Sequence, residues 1–158
     1  MIRLIGAVLA LACSWFGAQP LVGTDAALVS FAYSHGGMSA DQIYAYSVRA
    51  EDGRLLADFE LYCRDEIRDV PLDEEDAAAL RALIDGLWSW NGFAGSNANM
   101  LDGESFSLSA EFEDGAQLTA SGTNAFPEGY PAGAAAIRAY FEGLMEKHGV
   151  SAGPDEDF

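Results

Sequence analysis

An Asp-Gly pair stands twice between runs of alternating side chains, at Asp52-Gly53 and at Asp114-Gly115. No other feature narrows the fold as much. The tightest hairpin turns need positive φ, which Gly adopts freely and Asp tolerates, so Asp-Gly between alternating runs predicts two strands folded back on each other. Around the first pair, residues 43–50 place Ile43, Ala45 and Ser47 on one face and Tyr44, Tyr46 and Val48 on the other. The returning residues 55–63 place Phe59, Leu61 and Cys63 on one face and Asp58, Glu60 and Tyr62 on the other. Around the second pair, Phe106, Leu108, Ala110 and Phe112 share a face opposite Ser105, Ser107, Ser109 and Glu111, and residues 117–122 return. Such alternation marks half-buried antiparallel strands.

Each hairpin precedes a segment of helical period. Asp73 is the expected N-cap of the first, with Asp76 at the reciprocal third position and a cluster of carboxylates at the positive end of the helix dipole. Leu80, Leu83, Ile84, Leu87 and Trp88 then form an apolar stripe. The second helix is expected over residues 131–148, with Pro131 in its first turn and a stripe of Ile137, Tyr140, Phe141, Leu144 and Met145. With a further strand at 27–33, the prediction is an α+β fold. It has an antiparallel sheet of about five strands with both helices on one face, in the order three strands, helix, two strands, helix. The two hairpin-plus-helix units, 62 residues apart at their Asp-Gly pairs, are either a ββα pseudo-repeat or one local solution used twice. Residues 64–70 read as a charged connection, residues 90–93 as a turn and 95–103 as a polar loop.

The chain has 158 residues, half of them apolar, enough for one ordinary core and one domain, expected over residues 27–150. Eight Lys and Arg against 25 Asp and Glu give a net charge of −17, which repels phosphate backbones and anionic lipid. That excludes nucleic acid as a partner and is compatible with a basic protein. Ahead of the domain, Arg3 precedes an apolar run over residues 4–16 of signal-peptide length, and Thr24-Asp25-Ala26 allows cleavage after Ala26. Two alternatives stand beside cleavage: lipidation at Cys13, in a lipobox-like run with Ala10 where a leucine belongs, and retention of residues 1–26 as a membrane anchor. All three make the domain exported, either secreted or associated with the cell envelope, with the N-terminal segment as its only membrane contact. Residues 151–158 read as a disordered acidic tail.

Trp90, Asn91, Phe93, Asn124, Phe126 and Tyr130 combine aromatic faces with amide donors and acceptors on loops, a mixture that suits a glycan or another small polar ligand. The structural reading has Phe126-Pro127 plugging the gap between sheet and second helix and Asn124 capping loop backbone. Asn97, Asn99, Asp102 and Glu104 carry oxygens of the kind Ca²⁺ takes, but the spacing is one residue out of step with an EF-hand loop and its closing glutamate is missing. His35, beside Gly36-Gly37, is a candidate general base in a loop, with Cys63 or a loop serine as nucleophile of a small hydrolase. No GxSxG, HExxH, P-loop or CxxC pattern occurs. No catalytic residue is assigned and no cofactor is expected. The reading is a non-enzymatic ligand- or protein-binding module, with the hydrolase as the alternative.

The runs Trp90-Asn91-Gly92-Phe93, residues 101–108, Glu113-Asp114-Gly115 and residues 120–127 resemble a family of small exported proteins of unknown function from anaerobic gut-type bacteria, over residues 70–145. The resemblance implies a bacterial origin and one compact domain. It implies no activity and no site residue.

Overall fold

The computed structural model describes residues 24–62, 66–99 and 103–149. Most of the predicted leader, the lipobox with Cys13, Cys63, Asp102 and the acidic tail lie outside these residues. The elements are β1 (Leu28–Gly36), β2 (Tyr44–Glu51), β3 (Arg54–Leu61), β4 (Ile67–Pro71), α1 (Glu74–Leu87), β5 (Phe93–Ser96), β6 (Ser105–Phe112), β7 (Gln117–Thr123) and α2 (Tyr130–Lys147). The strands form one seven-stranded sheet in the order β4-β3-β2-β1-β6-β7-β5. Among the described residues, no helix is long and apolar enough to cross a membrane.

Both Asp-Gly hairpins are present, with different turns. Asp52 (φ 50°) and Gly53 (φ 75°) are both left-handed, whereas in the second turn only Gly115 (φ 82°) is. There the Asp114 carboxylate accepts from the Ala116 N–H at 3.0 Å and stabilises a wider loop. At α1, the Asp73 side chain accepts from the Asp76 N–H at 2.9 Å and the Asp76 side chain from the Asp73 N–H at 3.2 Å. This is the reciprocal capping that the spacing predicts.

The architecture is α+β with two helices, but the sheet has seven strands instead of about five, and it is mixed. The two additional strands are edges. The charged residues of β4 mask its strand character: Val70 is buried and Ile67 packs against the core, while Arg68, Asp69 and Pro71 are exposed, and at an edge such side chains are tolerated by solvent. Strand β4 is anchored by the backbone N–H of Asp69 (φ 62°), which donates to Asp58 at 2.8 Å. Strand β5 is four residues long and pairs parallel to β7, with no alternation long enough to read. Its direction follows from α1, which crosses from the β4 edge toward the opposite edge. Fourteen helical residues span about 21 Å, against roughly 29 Å for the six interstrand steps, and the turn at Trp88–Trp90 helps close the gap.

The two hairpin-helix units are not a structural repeat. Strands β2 and β6 both run antiparallel to β1 and so point the same way, and both helices cover the same sheet face. Yet β3 opens to one side and β7 to the other. No rotation superimposes such units, so the echo is one local solution used twice.

The core lies between the helices and the inward sheet face. Phe141 of α2 stacks on Tyr46 at 4.5 Å and meets Phe31 and the edge of Phe59 at 5.8 and 5.7 Å. Burying each such ring is worth about 1.5–3 kcal/mol. The α2 C-terminus is tied to the α1 N-terminus, where Lys147 donates to Asp73 at 2.6 Å and to Asp76 at 2.9 Å, and the Tyr140 hydroxyl donates to the Asp76 carbonyl at 2.9 Å. Lys147 holds the Asp73 carboxyl down to about 2, with the Asp76 N–H adding to the effect.

Residues 24–26, the end of the segment read as a leader, contact the domain. Arg81 donates to the Ala26 carbonyl at 2.8 Å, the Thr24 hydroxyl donates to Asp114, and Ala26 packs against the core. Cleavage after Ala26 would remove these contacts.

Candidate functional site

The aromatic residues expected to face a ligand form one interlocked cluster between sheet and α2. Phe106 sits at its centre: Phe93 stacks on it at 6.2 Å, Phe126 at 5.8 Å and Tyr130 at 4.6 Å, and Trp90 meets it edge-on at 6.1 Å. Trp90 and Tyr130 are only 3% and 6% exposed. The Trp90 indole N–H donates to the Glu128 carbonyl at 3.2 Å, and the Tyr130 hydroxyl shares a 2.9 Å hydrogen bond with that of Tyr33. Burial drives both phenols up, that of Tyr130 to about 12, and Tyr33 rises further because Tyr130 also bonds it.

The two amides of the set tie loops down. The Asn91 oxygen accepts from the Thr119 N–H at 2.9 Å, and the Asn124 oxygen accepts from the Glu104 N–H at 3.0 Å, while Asn124 N–H donates back to the Glu104 carbonyl at 2.8 Å. Asn124 comes so close to Gly103 that a Cβ there would lie 1.4 Å from its oxygen; only glycine fits. The four rings thus pack on Phe106, Asn124 ties the loop after β7 to Glu104, and Asn91 ties the turn before β5 to β7.

His35 lies inside β1 and not in a loop, because Ser34 and His35 pair with Ala45 and Tyr44 on one side and with Ser107 and Phe106 on the other. Its Nδ1 is 2.7 Å from the Gln42 carbonyl, an acceptor, so Nδ1 carries a proton and donates it. Its Nε2 faces Glu104 at 3.7 Å, and the ring stacks on Tyr44 at 5.3 Å. Among the described residues neither nitrogen meets a serine hydroxyl. Glu104 is thus turned to His35, and the Asn97 oxygen accepts from the Asn99 N–H at 3.2 Å in a local turn. Among the described residues no three His, Cys, Asp or Glu side chains gather as metal ligands would.

A different place in the molecule has the form of a binding surface. At the open end of the β2-β3 hairpin, Ile43, Tyr44, Leu61 and Tyr62 make a ridge, closed by the Tyr62 N–H donating to the Ile43 carbonyl at 3.1 Å. On the helix side a groove of about 350 Å³ runs between this ridge and Asp41, Tyr46, Arg138, Glu142 and Met145. On the other side a depression of about 360 Å³ is bordered by Ser34, His35, Ala45, Glu60 and Glu66. The guanidinium of Arg138 lies over the Tyr44 ring at 5.5 Å and donates to Glu142 at 2.6 Å. Arg68 is held by Glu66 at 2.5 Å and lies 3.9 Å from Glu60. Asp41 stays below the usual carboxylate range, chiefly through its hydrogen bond with Ser39.

The exposed large hydrophobic side chains among the described residues are Met38 (72%), Tyr62 (53%) and Ile43 (36%). All three belong to this end of the sheet. In the sequence, Ile43 and Tyr62 each interrupt an otherwise small or acidic outward face of their strand, the one local signal of this surface. Comparison with protein-family models, curated proteins and solved structures finds no match, and so lends no support to the resemblance drawn above.

Proposed function

We propose that this chain is a non-enzymatic binding module of an exported bacterial protein, and that it docks its partner on the ridge formed by Ile43, Tyr44, Leu61 and Tyr62. The observation that carries the reading is Ile43 and Tyr62 exposed side by side at one end of the sheet, flanked by two depressions, with exposed Met38 in the loop after β1 at the same end. Scattered single apolar residues on a surface need no explanation, whereas contiguous ones rimmed by polar groups mark interaction sites. The aromatic cluster around Trp90 and Phe126 supports the same choice from the other direction, since its rings already pack on one another. The hydrolase alternative gains no support from His35, whose nitrogens face a carbonyl and a carboxylate.

The test is site-specific photocrosslinking in the native host. The full chain with Tyr62→p-benzoylphenylalanine is expected to yield discrete adducts, and Ser109→p-benzoylphenylalanine, on the open sheet face, none of the same size. Adducts equal in pattern at both positions, or none at Tyr62, would overturn the reading.

A further inference from the structure

The ridge is bordered by carboxylates on both flanks, Asp41 and Glu142 on the helix side and Glu60 and Glu66 on the other. The cations between them are already engaged. Arg138 is paired with Glu142, and Arg68 with Glu66 and Glu60. Among the described residues, four carboxylates against two guanidinium groups leave this apolar strip in a negative field, on a protein whose overall charge has the same sign, −17. A docking surface of that form discriminates by charge: it accepts an apolar anchor from a cationic neighbourhood and repels the same anchor from an anionic one.

We infer that the partner, on the docking reading above, is a polypeptide segment in which an apolar or aromatic anchor is flanked on both sides by lysine or arginine. The anchor rests on Ile43 and Tyr62. The basic residue on one side meets Asp41, and the one on the other side meets Glu60. The Tyr62 ring, 53% exposed, is free to take a cation over its face, unlike Tyr44, which has Arg138 on it and His35 stacked against it.

Three fluorescein-labelled decapeptides test this, each with one central Leu-Phe pair in a Gly-Ser background. They differ only in carrying two lysines, two glutamines or two glutamates on each side of the pair. Fluorescence anisotropy on the full chain should rank them lysine, then glutamine, then glutamate. Each of Asp41→Asn and Glu60→Gln should weaken the lysine peptide by roughly two- to fivefold, as exposed charge pairs do. Glu111→Gln, on β6 at the far end of the sheet, should leave it unchanged, which separates a local effect from the field of the whole acidic protein. Ile43→Ser and Tyr62→Ser should weaken all bound peptides while circular dichroism and melting temperature stay those of the parent. If the glutamine peptide binds as tightly as the lysine peptide at about 0.15 M salt, and Ile43→Ser still weakens both, the cationic partner is wrong and the docking surface stands. If Ile43→Ser and Tyr62→Ser leave the lysine peptide unaffected, or no peptide binds at all, docking at the ridge fails and the inference with it. A loss with Glu111→Gln equal to that with Asp41→Asn also overturns the inference, because the attraction would then belong to the molecule and not to the ridge.

Discussion

Two glycines of α2 offer a controlled test of how tightly the Trp90 cluster is packed. Gly133 and Gly143 lie in the same helix, so alanine at either gains the same intrinsic helix propensity, about 1 kcal/mol. Around Gly143 a new Cβ meets nothing within 4 Å, and Gly143→Ala is expected to stabilise the protein by about 0.5–1 kcal/mol. At Gly133 the same Cβ would lie 2.3 Å from Trp90 Cζ2, 2.6 Å from Cη2 and 2.9 Å from Leu87 Cδ2. Ordinary carbon contacts are about 3.5–4.0 Å, so the indole edge would have to retreat by more than an ångström. It is held in place by its bond to Glu128 and by the rings of Phe106 and Tyr130. Overpacking of that kind costs about 1–3 kcal/mol. Propensity cancels in the comparison, so Gly133→Ala should be less stable than Gly143→Ala by about 1–3 kcal/mol. Urea unfolding of both variants, followed by far-ultraviolet circular dichroism with equal slopes, reads the difference directly. Equal stability of the two would refute the argument. It would mean that Trp90 yields without cost, as a ring able to open for a ligand must.

Alkaline unfolding follows from the buried phenols. Burial raises Tyr33, Tyr46, Tyr130 and Tyr140 above their ordinary range, Tyr130 to about 12. In the unfolded chain tyrosine loses its proton near pH 10, so the unfolded state binds fewer protons above that point. The stability these groups contribute is then complete below pH 10 and declines between about pH 10 and 12. Phenolate absorbance should develop together with loss of circular dichroism; titration of all six tyrosines near pH 10 in a still-native protein would contradict it. Lys147→Met should raise the Asp73 carboxyl from about 2 toward its ordinary value near 3.9, stopping short because the Asp76 N–H still donates to it. The sign is that of a depressed carboxyl, whose stabilisation is present above its unfolded value and is lost as pH falls toward 2. Carboxyl-carbon NMR titration measures it, and an unmoved Asp73 would show that the capping bond, not Lys147, sets the value.

What could be read from residue order alone was whatever is decided within a few residues. The Asp52-Gly53 and Asp114-Gly115 turns, the Asp73-Asp76 capping pair, the inward faces of β2, β3 and β6 and the apolar stripes of α1 and α2 all follow from local φ preference and from periods of 2 and 3.6. Those signals also established the α+β class and placed both helices on one sheet face. Tertiary structure decided the rest. Strands β4 and β5 became strands because a neighbour's unpaired edge was there to receive them, and their own side chains, charged in one and small in the other, carry little periodic signal. His35 was carried into β1 by partners on both sides.

The candidate site shows the same division. Trp90, Phe93, Phe126 and Tyr130 pack on one ring, Phe106, yet composition cannot tell an aromatic face that awaits a ligand from one that lies on another ring. That depends on Phe106 standing beneath them, which follows from the β6-β7 register and from where α2 returns. The ridge of Ile43 and Tyr62 depended on the same kind of fact. They stand side by side only because the β2-β3 register pairs Tyr44 with Leu61 and so brings the Tyr62 N–H to the Ile43 carbonyl.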